Sequence, residues 1–362
     1  MPHKSSISVA DVTIIDFRVI DLRFPTSLDG VGSDDMHTFS NGRGSEVICL
    51  CLDIFAERVI GKSMADLNAN MGKTWRYMVS DSQYRWIGPD ESVTHLAAAG
   101  VPNAILKKAQ VGKEERVQDA LRNRAVPAYS TSQGGPLMRA MLSSNSKVGT
   151  DLEADCARLA AVRDILGYDN GYHIMIDANQ FKPVYIEEQT NPDDVLGHES
   201  IQKALKLYGV GVATGEAVQN WVTFKQLLQA EATDVAQIEA VRLGSVNECL
   251  AVMVMAKAFG VPCAPQNGAI RLTELTSHLS LIDYIVVSGQ RNTLEFAENK
   301  RNKKYLKYAA EVKDAHYVTP MQPGYRIGYN KGCVENFEFP GGEVWRSEEG
   351  KRMTGGDKIP KL

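Results

Sequence analysis

Three carboxylates stand where short apolar runs give out: Asp177 in HIMIDAN (173–179), Glu187 in PVYIEE (183–188) and Glu216 in VGVATGE (210–216). If those runs are neighbouring parallel strands of a closed sheet, their C-terminal ends converge on one mouth. Three carboxylates brought that close repel one another unless a cation lies between them. Hard oxygen donors with coordination positions left open for a substrate are what Mg2+ prefers. A single acid at a strand end is better explained as a cap for the following helix. Three on successive strands favour the metal.

The elements that must position these acids follow a regular rhythm. Apolar runs recur at 126–132, 146–149, 173–179, 183–188, 210–216, 235–240, 261–266 and 284–289, and many are followed by segments of helical period. Thr150 and Glu153 form a capping-box pattern, followed by an apolar stripe of Leu152, Cys156, Leu159, Val162 and Leu166 that stops at Gly167. Ser245 and Glu248 repeat the capping pattern before a helix that Gly260 ends. Alternating strands and helices predict a parallel sheet with helices on its faces, and eight runs predict a closed barrel. Ahead of them, Ile15, Phe17 and Val19 alternate with polar residues as in a half-buried strand, 46–60 has helix length and stops at Gly61, and 70–125 reads as helical.

Composition narrows the function classes. A net charge of −4 over 362 residues, with 44% hydrophobic and 23% charged residues, argues against a nucleic-acid or membrane-surface partner. Apolar runs are too short to span a bilayer, and MPHKSSISVADV lacks the apolar core of a secretory signal. Cys49, Cys51, Cys156, Cys249, Cys263 and Cys333 show no metal-ligand spacing, so a reducing, cytoplasmic setting is expected.

The segments RFPTS (23–27), RWIGPD (85–90), VPAYSTS (126–132), MIDAN, IEEQTNPDD (186–194), GVATGE and RLGSVNE (242–248) occur in collinear order. They resemble the fuconate and galactonate dehydratases of the enolase superfamily, over most of the chain. The resemblance implies a (β/α)7β TIM-like barrel over 126–317. An N-terminal α+β capping domain over 1–125 would be completed by the tail, 318–362. It implies Mg2+ held by Asp177, Glu187 and Glu216, and Lys147 as the base that takes the C2 proton of an acid sugar. Gly32, Asp34, Asn179 and Glu295 match positions that contact the substrate. The implied product, after loss of the C3 hydroxyl, is a 2-keto-3-deoxy acid. The implied partner is therefore a small-molecule sugar acid, with homo-oligomeric assembly left open.

Departures from the family pattern bear on activity. Asn145 stands where a first lysine is expected, Gln266 replaces the general-acid histidine, and Glu239 replaces that histidine's aspartate partner. Glutamine carries no titratable proton. Segments also look shortened around 37–39, 103–107 and 132–144. Between Asn179 and Pro183 only three residues intervene, a reach of roughly 10 Å, which is too short for the usual crossover between parallel strands. The spacing therefore predicts that Asp177 and Glu187 are not on ordinary adjacent strands, and that 178–188 is strained. Two alternatives to a working dehydratase follow: an impaired relative that still binds Mg2+ or an acid sugar, and a mis-spliced product that does not fold.

Overall fold

The computed structural model describes residues 12–24, 45–79, 92–105, 114–130, 143–147, 173–177, 185–267, 272–296, 305–319 and 328–353, with positions 156, 157, 160, 161, 164 and 321. Its centre is a ring of eight parallel strands: β1 Ala125–Ser130, β2 Ser143–Lys147, β3 His173–Asp177, β4 Tyr185–Glu187, β5 Gly211–Thr214, β6 Val235–Ile238, β7 Cys263–Pro265 and β8 Leu294–Phe296. β1 to β7 pair in sequence order, and β8 returns to pair with β1, setting Tyr129 opposite Glu295. Parallel strands covered on both faces are mostly apolar, as β5 to β7 are, whereas β2 is polar along its length. Val212, Ala213, Ala236 and Ile238 are fully buried.

Helices Val195–Lys206, Trp221–Gln229, Val246–Phe259 and Leu272–Ile282 follow β4, β5, β6 and β7. Asp194 and Asn220 start the first two by accepting from the backbone N–H of Gly197 at 2.9 Å and Thr223 at 3.0 Å. Gly260 ends the third at φ +75°, as the sequence suggests. Their inner faces meet the strands in one core that includes Phe224, Leu227, Leu243, Met253 and Leu279. A hairpin of β9 Val312–Lys313 and β10 His316–Val318 runs antiparallel to the first half of β1.

Helices Ser45–Glu57, Met64–Ala69, Met71–Val79 and Ser92–Ile105 form a second core around Phe55, Met78, Ala97 and Ala98. The chain's late segment joins its early one. Arg23 N donates to Phe337 O at 3.1 Å, Phe339 N donates to Asp21 O at 2.8 Å, and the Phe24 ring packs on Tyr305, Tyr329 and Phe337. Trp345 is buried there, its indole N–H donating to Phe337 O at 3.1 Å. Among the described residues no helix is long and apolar enough to cross a membrane.

Several expectations need correcting. β3 and β4 are adjacent and parallel, with Asp177 opposite Glu187. β4 has only three residues, so the chain need step back about 7 Å along the strand and 5 Å across, well within the reach of 178–184, roughly 24 Å. Tyr185, Ile186 and Glu187 are 6%, 7% and 5% exposed. Of the segment 178–188 expected to be strained, 178–184 lie outside the described residues, and Glu188 has φ +51°. The run at 284–289 is not the eighth strand. Asp283–Val287 continues the preceding helix as a π turn, and Gly289 at φ +76° ends it before the true β8. Phe17 packs inward as expected, but Ile15 is 86% exposed and Ile14 packs inward in its place, because residues 12–14 make only a few backbone bonds with 61–64. Ser245 makes no side-chain cap: it sits at φ +90°, and Glu248 is drawn to other partners. The Thr150 capping box falls outside the described residues.

Candidate active site

Backbone register assembles the site. Lys147 lies opposite Asp177, Asp177 opposite Glu187, and Glu187 opposite Ala213. The base candidate and two of the acids therefore share one level at the C-terminal ends of β2, β3 and β4. Asn145 sits two residues below Lys147, opposite Met175, so both belong to one face of β2. The side chains of Lys147, Asn145 and Asp177, and all of Gly32, Asp34 and Asn179, lie outside the described residues. Among the described residues no group of three His, Cys, Asp or Glu side chains is placed to hold a metal ion.

Glu216 follows β5 through Gly215, a position that requires glycine. Gly215 has φ +128°, and a Cβ there would stand 2.6 Å from the Phe224 ring and 2.7 Å from Gln237 O. Glu187 is almost wholly buried, and its Oε2 accepts from Gln237 Nε2 at 2.6 Å. β5 separates β4 from β6, so this bond crosses the barrel interior and shows that Gln237 faces inward.

Glu239 stands just past β6, 4% exposed, with Val241 N donating to its Oε1 at 3.3 Å. Burial pushes its carboxyl up to about 8; Arg242 and the Val241 N–H pull the other way, and the charge of Glu295 adds to the rise. Gln266, just past β7, is 2% exposed, and its backbone N–H donates to Ile238 O at 2.9 Å. Glu295 on β8 is half-buried, and its Oε2 accepts from Asn267 N at 2.7 Å.

Two residues of this mouth escaped sequence reasoning. Gln237 announces itself only as an amide inside the apolar run VAQI. Asn267 carries no signal that chemistry would single out, yet it closes the barrel. No ladder joins β7 to β8 among the described residues, and Asn267 spans the gap. Its backbone binds the Glu295 carboxylate, while its side-chain amide donates to Glu295 O and to Tyr317 Oη, both at 3.2 Å. Thr273 Oγ1 donates to Asn267 Oδ1 at 2.8 Å and orients that amide.

Residues 179–331 match the family model described as enolase C-terminal domain-like. The L-galactonate dehydratase of Hypocrea jecorina is 38% identical over 97% of this chain and 100% of its own length. That alignment runs over 452 positions against the 362 residues here, so at least 90 positions have no residue in this chain. Among solved structures, human mitochondrial enolase superfamily member 1 superposes with a TM-score of 0.85 at 33% identity, covering 98% of this chain and all of that one. L-talarate dehydratase from Polaromonas sp. JS666, crystallised with Mg and L-glucarate, shares the fold at 21% identity, with a TM-score of 0.62 over 80% of this chain and 84% of its own. The parallel ring, the acids at its C-terminal ends and identity sustained along nearly the whole chain agree: the chain belongs to the enolase superfamily.

Proposed function

We propose that the chain is a sugar-acid dehydratase of the L-galactonate type, removing the C2 proton of a six-carbon aldonate and expelling its C3 hydroxyl to leave a 2-keto-3-deoxy acid. The observation that carries this reading is the shared level of Lys147, Asp177 and Glu187 on three neighbouring strands. Its relation to the Hypocrea enzyme supports the substrate class.

Asp177, Glu187 and Glu216 fit Mg2+ by their chemistry: three hard carboxylate donors at the ends of consecutive strands. Bound there, the ion supplies positive charge to the substrate carboxylate, whose α-proton is otherwise too weakly acidic to remove. The neutral amine of Lys147 takes that proton. Gln237 holds the Glu187 carboxylate by its amide and so fixes one donor oxygen in place. Asn145, Asn179, Gly32, Asp34 and Glu295 are the positions proposed to bind the sugar hydroxyls.

The test is formation of 2-keto-3-deoxy acid from a panel of aldonates, followed by NMR, with Mg2+ present or chelated. L-galactonate should be turned over with Mg2+ and not without it, and Lys147→Ala should abolish turnover. A folded, Mg2+-loaded chain silent across the panel would overturn the proposal. Gln266 favours a second reading, in which Lys147 exchanges the C2 proton but nothing assists departure of the hydroxyl. Deuterium uptake at C2 without product would establish it.

A further inference from the structure

Expulsion of the C3 hydroxyl needs a proton, because hydroxide is a poor leaving group, and Gln266 has none to give. The histidines that the structure describes do not supply it. His95 is on a helix of the second core, against Glu248. His198 is on the helix after β4, its Nδ1 3.2 Å from Gln189 Oε1, and His278 is on the helix after β7. His173 begins β3, and His316 on β10 pairs with Pro127 in the first half of β1, so both lie towards the end of the ring away from the acids.

The geometry points to Glu239 as the proton donor to the departing C3 hydroxyl, an inference that rests on the dehydratase reading above. Gln237 faces the interior, since its amide reaches Glu187 across β5. Side chains two residues apart on a strand share a face, so continuation of β6 carries Glu239 to the same interior, about 7 Å nearer the mouth. That places its carboxyl on the inner rim, beyond the level of Asp177 and Glu187 and across from Lys147. Base and acid then approach a bound sugar from different strands, as the removal of a proton from C2 and a hydroxyl from C3 requires.

Its surroundings favour the protonated form. From β8, Glu295 presents a like charge; from the helix Val246–Phe259, the buried thiol of Cys249 adds no positive charge; from its own loop, Arg242 opposes the rise. Gln266, held beside the end of β6 by its bond to Ile238 O, brings a neutral amide where an imidazolium would pull the carboxyl towards ionisation. A carboxyl held neutral up to about pH 8 still has its proton at physiological pH. In the step itself, the enediolate electrons form the C2–C3 double bond and the C3–O bond breaks. The Glu239 proton joins the leaving oxygen as water, and the resulting carboxylate is reprotonated from solvent after the enol product leaves and tautomerises. Lys147 releases the C2 proton in the same interval, so the net change is loss of one water.

The test compares the wild type with Glu239→Gln, which keeps size and polarity but has no proton to give. Dehydration of L-galactonate should fall about 100-fold or more, while C2 exchange in D2O falls far less. 3-Deoxy-3-fluoro-L-galactonate, whose leaving group needs no proton, should be eliminated by the variant at close to the wild-type rate. Independently of turnover, the infrared band of a protonated carboxyl should be present in the wild type at pH 7 and absent in Glu239→Gln. An ionised Glu239 at pH 7, or equal dehydration by wild type and variant, overturns the acid role alone. A wild type that shows the band but dehydrates no aldonate overturns the dehydratase reading and the acid role with it.

Discussion

Nδ1 of His95 lies 3.0 Å from Oε2 of Glu248, joining the helix Ser92–Ile105 to the barrel helix Val246–Phe259 through side chains that are 9% and 1% exposed. The same carboxylate accepts from Gly244 N and Trp221 N, each at 2.7 Å. One buried acid thus ties the second core, the loop that follows Glu239 and the start of the helix after β5. Removing it takes this partner from His95, Gly244 N and Trp221 N, a loss of about 1–3 kcal/mol for each group that is buried. Glu248→Ala should therefore cost about 3–5 kcal/mol and lower Tm by several degrees in a thermal melt, with Glu248→Gln losing less. A melt unchanged by either would contradict this. Gly244→Ala should disturb the same junction, since its Cβ would press on Glu248 Oε2 and stand 2.7 Å from Trp75 Nε1.

Closure of the ring gives a second prediction. Asn267 bridges β7 and β8 where strand pairing does not, and its side chain makes three hydrogen bonds. Asn267→Ala should lose about 2–4 kcal/mol by leaving Tyr317, Thr273 and the Glu295 carbonyl less satisfied. Urea unfolding reads the loss, and hydrogen exchange should show it concentrated in β8. Uniform exchange across the barrel would show that the seam is held by something else.

How much of this could be read beforehand depended on what each residue contributes to a pattern. β3 to β7 are legible because a parallel strand buried on both faces is apolar along most of its length. Asp177, Glu187 and Glu216 stand out as the charges that stop those runs. β8 is illegible, because three residues around Glu295 form no period. The β-branched run Ile285, Val286 and Val287 imitates a strand while continuing a helix. Ile15 misleads in the same way: alternation identifies a face only where a neighbouring strand is present to cover it, and 12–24 makes only isolated bridges. Register is a property of pairing, so the level shared by Lys147, Asp177 and Glu187 could not be seen in the residues alone. Nor could the short step from β3 to β4, which depends on β4 being three residues long.

Metal binding yields a third prediction that needs no substrate. A ligand at about 100 times its dissociation constant adds about 2.7 kcal/mol to the stability of the state that binds it. Millimolar Mg2+ should raise Tm by a few degrees, and Asp177→Asn or Glu187→Gln should remove the response without unfolding the chain. An unchanged response in both variants would place the ion elsewhere.

The last prediction concerns pH and isolates Glu239 without relying on turnover. Its folded carboxyl titrates near 8, whereas an unperturbed glutamate does so at 4.5. Below pH 4.5 both states hold the proton, and the contribution to stability is fully present. Between 4.5 and about 8 the unfolded state releases the proton while the folded state keeps it. Folding then binds a proton and becomes less favourable as pH rises. At about 1.4 kcal/mol for each unit of difference, the wild type should lose a few kcal/mol across that interval relative to Glu239→Gln, measured in chelator so that no metal contributes. Above pH 8 the difference should level off. Glu295→Gln supplies the control: it removes the like charge but not the burial, so the Glu239 carboxyl should titrate lower and the sloping interval should shorten from its upper end. Parallel curves for the wild type and Glu239→Gln would mean that Glu239 is already ionised in the folded chain, and its neighbours would then have to provide a positive charge that Arg242 alone does not.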